Sequence, residues 1–556
     1  MLLLWLLATN LSYAQPAAPV PGWVLATVAT QHTPRLIAQL NASAVDEAGN
    51  VFIAGFFSDT LCLGNLTLYS AGEQDFFLAK YVPATNTWLW AVRGGGLASD
   101  EAYGLAVHQG SVYLTGSLQN NYLNDNHVTL DSTTPVPQLG AVNAEPSHDL
   151  FVAKYLDHGT RASLAWCQVA GGTGYDNGQS IAVHGARVYV TGMLTADQVG
   201  TTGVVFGGGG PLPGLYPQRG ASAQPGNDMV LAAYTDRGTA ATFDWSEVGG
   251  GTGRDNGNAV AVHGRSVYVA GCLTNSRTDT NRVRLGGHGR VPGQARQYGA
   301  CARSSADWLL AKYTDLGDHA ALGWSQVAGG TSHELAYSLA VQDSSVYLTG
   351  FVINSRRDSR HVRFGGSGTV AGTHCQRGLR PLDKPDDVLA KYTDHGPTGS
   401  CEWLRVDGPH DWPSGFDVVA RGRWVYTTGY SFFNRTHTRQ GIAGGTPHRV
   451  GTGRRGHLHY AIKDHAFVAG YYDEGPRATL RWVRAFDTPG QYLVNRLGWH
   501  GSRLYVVGNT VLPAHFGRFT LATLQPSYQY FVAALDVGAA EAAGPAGSGL
   551  ARRRAR

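Results

Sequence analysis

After residue 14 the chain contains no apolar run long enough to cross a membrane. Charged residues make up only 15% of it, lysine is scarce, and the net charge is +4 over 556 residues. A generic nucleic-acid binder would carry a basic stripe on one domain, so this balance argues against that class. Cysteine is sparse, at Cys62, Cys167, Cys272, Cys301, Cys375 and Cys401, with no C-x-x-C pair. A metal site built on these residues is not expected. Cys272 with Cys301, and Cys375 with Cys401, are close enough in sequence to be candidate local disulfides, with buried thiols the alternative. The chain also lacks a nucleophile elbow, a P-loop, a dinucleotide fingerprint and an H-E-x-x-H motif. No cofactor is expected.

What the chain has is glycine, 74 residues of it, and a period. The glycine that closes a V-Y-V-x-G run recurs as Gly55, Gly116, Gly192, Gly271, Gly350, Gly429 and Gly508, and from Gly192 onward the interval is a constant 79 residues. A tryptophan recurs with it, as Trp23, Trp90, Trp166, Trp245, Trp324, Trp403 and Trp482. A fixed period decides architecture before any local signal does, because each unit packs only on its neighbours.

Each unit reads as four strands. Strand A is an A-V-type run (Ile181–Val183, Val260–Val262), strand B the V-Y-V-x-G run, strand C a D-x-x-x-A-K-Y run (Asp75–Tyr81, Asp307–Tyr313), and strand D carries the tryptophan. In the fifth unit strand C reads as Asp387–Tyr392, one residue short. The runs are Val-, Tyr- and Trp-rich, bounded by Gly and Asp, and apolar on both faces. The ends are complementary. The first tryptophan run, at 22–30, has no A, B or C strand before it, and the last unit has no tryptophan strand after it. The orphan completes the last unit, which predicts an all-β, seven-bladed β-propeller of four-stranded blades closed by its N-terminal strand.

These units resemble the bacterial seven-bladed propeller repeats known as SBBP repeats. The matching text is Asp176–Val183, Val188–Gly192, Asp75–Tyr81 and Trp166–Gly172, with the D-x-x-G-N turn kept at Asp46–Asn50. Kelch repeats need a double glycine after strand B, where a single one stands here. The resemblance covers roughly 22–537 and implies an exported or cell-surface protein without a defined activity.

The expected domains are a signal peptide at 1–14, cut before Gln15, the propeller at 15–537, and a disordered basic tail at 538–556. The expected location is therefore outside the cytoplasm, and the expected state a monomer with no transmembrane segment.

Four sets of residues are candidates for chemistry. Asp100, Asp176, Asp255 and Glu334 recur ahead of strand A, where the chain enters the central channel. They read either as a ring of channel-mouth carboxylates or as acceptors for the glycine-rich turn. His108, His184, His263 and His500 follow strand A and read as turn residues, with a metal site the alternative. Lys80, Lys154, Lys312 and Lys391 on strand C read as structural, their stems along apolar neighbours and their amines reaching water. The fourth set is the arginines of the long B–C connections in units four to six, the one feature that does not repeat evenly. Among them Arg282, Arg284, Arg356, Arg357, Arg360, Arg363, Arg435 and Arg439 are the candidate ligand-binding residues, since guanidinium pairs with carboxylate, phosphate or sulfate. The expected function is a non-catalytic scaffold that binds a polyanionic glycan or a protein partner through its long-loop face. A carbohydrate-active enzyme with paired carboxylates at the channel mouth is the alternative, and a quinoprotein dehydrogenase a third.

Overall fold

The computed structural model describes residues 20–29, 38–121, 123–136, 146–196, 204–208, 216–217, 226–288, 295–301, 303–357, 361–366, 374–375, 384–409, 417–433, 463–487, 493–511, 513–521 and 528–542. The segment 1–14, the arginines 360, 435 and 439, and the tail 543–556 lie outside the described residues.

The fold is a seven-bladed β-propeller. Every blade is an antiparallel sheet in the order A-B-C-D. The first blade, for example, runs Ala38–Val45, Val51–Phe57, Asp75–Val82, Thr87–Gly94. The A strands Ala38–Val45, Glu101–His108, Asn177–His184, Asn256–His263, Leu335–Gln342, Asp417–Arg421 and Leu493–His500 contact one another in turn, and the last meets the first. The ring closes as expected: Gly22–Ala29 pairs antiparallel with Tyr528–Asp536 and supplies strand D of the seventh blade.

The apolar character of both faces has a direct cause. Seven hydrophobic clusters stand at the seven blade junctions, each fed by two adjacent blades. Strand B of the first blade is buried at every residue. The repeated glycine of strand B also has a reason. Strand A bulges opposite it, and a Cβ on Gly55, Gly116, Gly192, Gly271 or Gly350 would fall 1.9–2.0 Å from a strand A carbonyl oxygen. No larger residue fits without breaking the pairing.

Three features depart from the sequence reading. The fifth unit is not short. Asp386 faces Val352, two residues past Gly350, just as Asp307 faces Leu273, two past Gly271, so Asp386 is the counterpart and Asp387 is the residue after it. The chain is also ordered past Val537. Gly538–Ala542 forms one helical turn with Ala540 buried, so these five residues do not belong to a disordered tail. Finally, Cys272, Cys301 and Cys401 are all thiols, which rules out both candidate disulfides in favour of the thiol alternative.

The long B–C connections do more than rise from one face. Val205–Gly208 and Tyr216–Pro217, from the connection of blade three, add to the outer edge of blade two by pairing with Ala162–Gly171. Arg284–His288 with Ala295–Arg296 does the same to blade three, and Arg363–Gly366 with His374–Cys375 to blade four. Ala514–Phe516 with Phe519–Leu521 extends blade six. Each connection thus reaches back over a junction and ties its blade to the one before.

Candidate functional site

The four acids ahead of strand A do not line an open mouth. Asp100, Asp176, Asp255 and Glu334 are fully buried. Asp176 accepts the N–H of Gly172 and of Thr195, both at 2.7 Å, and Asp255 accepts Gly251 at 2.7 Å and Thr274 at 2.6 Å. Asp100 accepts Gly96 at 2.7 Å and Gln119 at 3.0 Å, and Glu334 accepts Gly330 at 2.9 Å. Each joins the glycine end of strand D, and in three cases the end of strand B as well, to the start of the next blade. Burial pushes Asp176 and Asp255 up to about 7 and Asp100 well above the usual carboxylate range. A carboxylate with both oxygens engaged and no exposed surface, as at Asp100, Asp176 and Asp255, cannot reach a glycosidic oxygen.

The lysines of strand C are not solvated either. Lys80, Lys154, Lys312 and Lys391 place Nζ 2.5–2.6 Å from Asp157, Asp236, Asp394 and Asp473, each at the end of strand C in the next blade. The same aspartates accept the indole N–H of Trp90, Trp166, Trp324 and Trp403 at 3.0–3.3 Å. Tyr113, Tyr268 and Tyr347 add hydroxyl donors to three of them at 2.6–2.8 Å. These aspartates went unread in the sequence, although Asp157, Asp236, Asp315, Asp394 and Asp473 fall 79 residues apart. Burial alone would raise their carboxyls. The lysine, tyrosine, tryptophan and glycine N–H donors outweigh it and hold Asp236, Asp394 and Asp473 below the usual carboxylate range.

His108, His184, His263 and His500 each close strand A and pair with the first residue of strand B, Ser111, Arg187, Ser266 and Arg503. Among the described residues, no group of three or more His, Cys, Asp or Glu is placed to hold a metal.

The arginines follow the period more closely than their uneven numbers suggest. Arg277 and Arg356 stand 79 residues apart, as do Arg284 and Arg363. Arg284 and Arg363 sit half-buried on the edge hairpins, opposite Gly250 and Gly329 of the preceding blades. Arg282 is exposed at a left-handed turn, φ 55°, in register with His127 at 52° and His361 at 55°. Arg277, Arg303, Arg356 and Arg357 are exposed. The two connections that carry them also touch. The Arg277 N–H donates to Cys301 O, and Cys301 Sγ donates to His361 O at 3.6 Å, which joins the connection of blade four to that of blade five. Asp279, on the connection of blade four, is buried and lies 3.8 Å from Arg296.

No protein-family model matches the chain. No curated protein matches it. Among solved structures it is similar to the quinohemoprotein alcohol dehydrogenase from Comamonas testosteroni, at 10% identity over 92% of this chain and 76% of that one, with a TM-score of 0.32.

Proposed function

We propose that this propeller is an exported, non-catalytic scaffold of the SBBP-repeat kind that binds an acidic polysaccharide through the B–C connections of blades four and five. The observation that carries this reading is the contact from Cys301 to His361, which joins two arginine-bearing connections. Arg277, Arg282, Arg303, Arg356 and Arg357 all stand exposed there. The apolar run at the N-terminus supports export. Exposed charge of this kind acts by long-range attraction with a screening length of about 8 Å at physiological ionic strength.

The test is retention on an immobilised acidic polysaccharide at rising salt. Wild-type protein should bind at low salt and elute well below molar salt. Reversing Arg356 and Arg357 to Glu should weaken binding on the order of tenfold, while Asp125→Ala and Asp131→Ala on blade two should leave it unchanged. Absence of binding at low salt, or binding indifferent to salt, would sink the proposal.

A further inference from the structure

Each of the first four D-to-A crossovers brings a second carboxyl beside the strand A acid. A Cβ on Gly95 would lie 2.4 Å from Asp75 Oδ1 and 3.0 Å from Asp100 Oδ2. At Gly250 the distances are 2.2 Å to Asp228 and 2.9 Å to Asp255, and at Gly329 2.1 Å to Asp307 and 3.0 Å to Glu334. In blade two, Asp149 Oδ1 is 2.1 Å from the same point on Gly171, next to Gly172, whose N–H is held by Asp176. Two carboxyls this close in a buried setting do not both ionise without a compensating charge.

Blade one has that charge. Arg93, opposite Phe77, places Nη1 2.5 Å from Asp75 Oδ2. At the equivalent position, opposite Phe151, blade two has Val169, and blades three and four have Val248 and Val327. The two members of the blade-two pair also differ. Asp176 accepts a backbone N–H on each oxygen, which suits a carboxylate. Asp149 Oδ2 is buried with no hydrogen-bond partner among the described residues, and its Oδ1 has the Ser147 hydroxyl at 3.5 Å.

We propose that Asp149 holds the proton of the carboxyl pair it forms with Asp176 across Gly171, and that this proton does in blade two what Arg93 does in blade one. Among the described residues, the groups facing the pair supply no cation. His148 packs tilted against Tyr175, ring centroids 4.7 Å apart, and burial drives it toward its neutral form. The Tyr175 hydroxyl is 3.4 Å from that of Tyr103, which donates to Glu101. Lys154, further along the strand, is taken by Asp236. Burial and then the Asp176 charge push the Asp149 carboxyl well above its ordinary range. The unfolded chain releases this proton at about pH 4, whereas the fold keeps it, so stability falls as pH rises above that point until Asp149 itself ionises.

Thermal melts from about pH 5 to about pH 9 test this, together with the infrared band of protonated carboxyl groups at neutral pH. D149N should keep the wild-type melting point at the acid end, lose less of it toward alkali, and show a weaker band. R93V should do the opposite, steepening the alkaline loss and strengthening the band, because it leaves Asp75 and Asp100 to find a proton. Equal alkaline slopes and an equal band in wild type and D149N would overturn the proposal. So would a calcium-dependent melting point in wild type that D149N lacks, since a metal ion would then hold the proton's place. Should D149N fail to fold, an R93V slope and band equal to those of wild type would overturn it on their own.

Discussion

Asp394 shows how much one residue carries in this ring. It sits on blade five but accepts from Lys312 Nζ at 2.5 Å, Trp324 Nε1 at 3.0 Å and Tyr268 Oη at 2.6 Å, all of blade four. The side chains of Lys312 and Asp394 are at most 10% exposed, so loss of the acceptor leaves a nearly buried ammonium uncompensated. Asp394→Ala should therefore cost about 3–5 kcal/mol in denaturant unfolding, far more than loss of an exposed ion pair. The sign with pH is opposite to that at Asp149. The folded carboxyl of Asp394 is depressed, so its contribution is complete above the unfolded value of about 3.9 and is lost as pH falls through the folded one. Where the lysine is missing the chain compensates. Ala233 stands in its place in blade three, and Arg187 of strand B reaches Asp315 with Nε at 2.8 Å and Nη2 at 3.0 Å. Glu247 shows the same economy of shape. It occupies the place where Gln168 and Gln326 donate to Ala241 O and Gly399 O, and burial pushes its carboxyl up to about 9.

At the scale of the element, the B–C hairpins set the limit of what the sequence could reveal. Val283-Arg284-Leu285 and Val362-Arg363-Phe364 alternate apolar and polar, and the structure buries the apolar members while Arg284 and Arg363 stay half-buried. The alternation was legible as a short strand. Its partner was not, because the strand pairs backward across a junction with strand D of the preceding blade, and no local signal encodes that. The four core strands were legible because their text repeats. The Asp386 register was obscured by a second aspartate beside it, and the staple aspartates by their ordinary look as turn residues. The carboxylate pairs were hidden for a different reason, since which acid faces which depends on the crossover and not on spacing. The hairpins are core and not decoration: Phe364 is fully buried with its ring 5.6 Å from Trp308. Phe364→Ala should cost about 3–5 kcal/mol, whereas Arg363→Ala should cost well under that, in parallel denaturation curves. Equal costs would mean that the hairpin merely drapes the surface.

On the scale of the whole molecule, the ring is stapled unevenly, and the closing strand borders a junction that lacks the staple. The aspartate staple joins blades one to two through five to six. At the junction of blades six and seven the lysine is replaced by Gly470, and Trp482 Nε1 is buried with no partner among the described residues. Other groups hold that junction. Tyr426 donates to Glu541 of the final helical turn at 2.5 Å, and Arg484 donates to Val20 O and Pro21 O just ahead of the closing strand. Trp23, on that strand, packs edge-on against Phe516 of the hairpin that extends blade six, centroids 5.1 Å apart. The N-terminal strand thus completes blade seven and helps seal its junction with blade six. Removing residues through Ala29 would strip strand D from blade seven and leave Tyr528–Asp536 as an unpaired apolar edge. The expected outcome is a lower melting point with concentration-dependent association, while truncation through residue 14 alone should change neither. An isolated peptide of the Gly22–Ala29 sequence, added to the shortened protein, should restore the melting point by occupying the open edge as a strand. A shortened protein that melts like the full chain, or one the peptide leaves unchanged, would show that closure rests on the blade-to-blade packing and not on this strand.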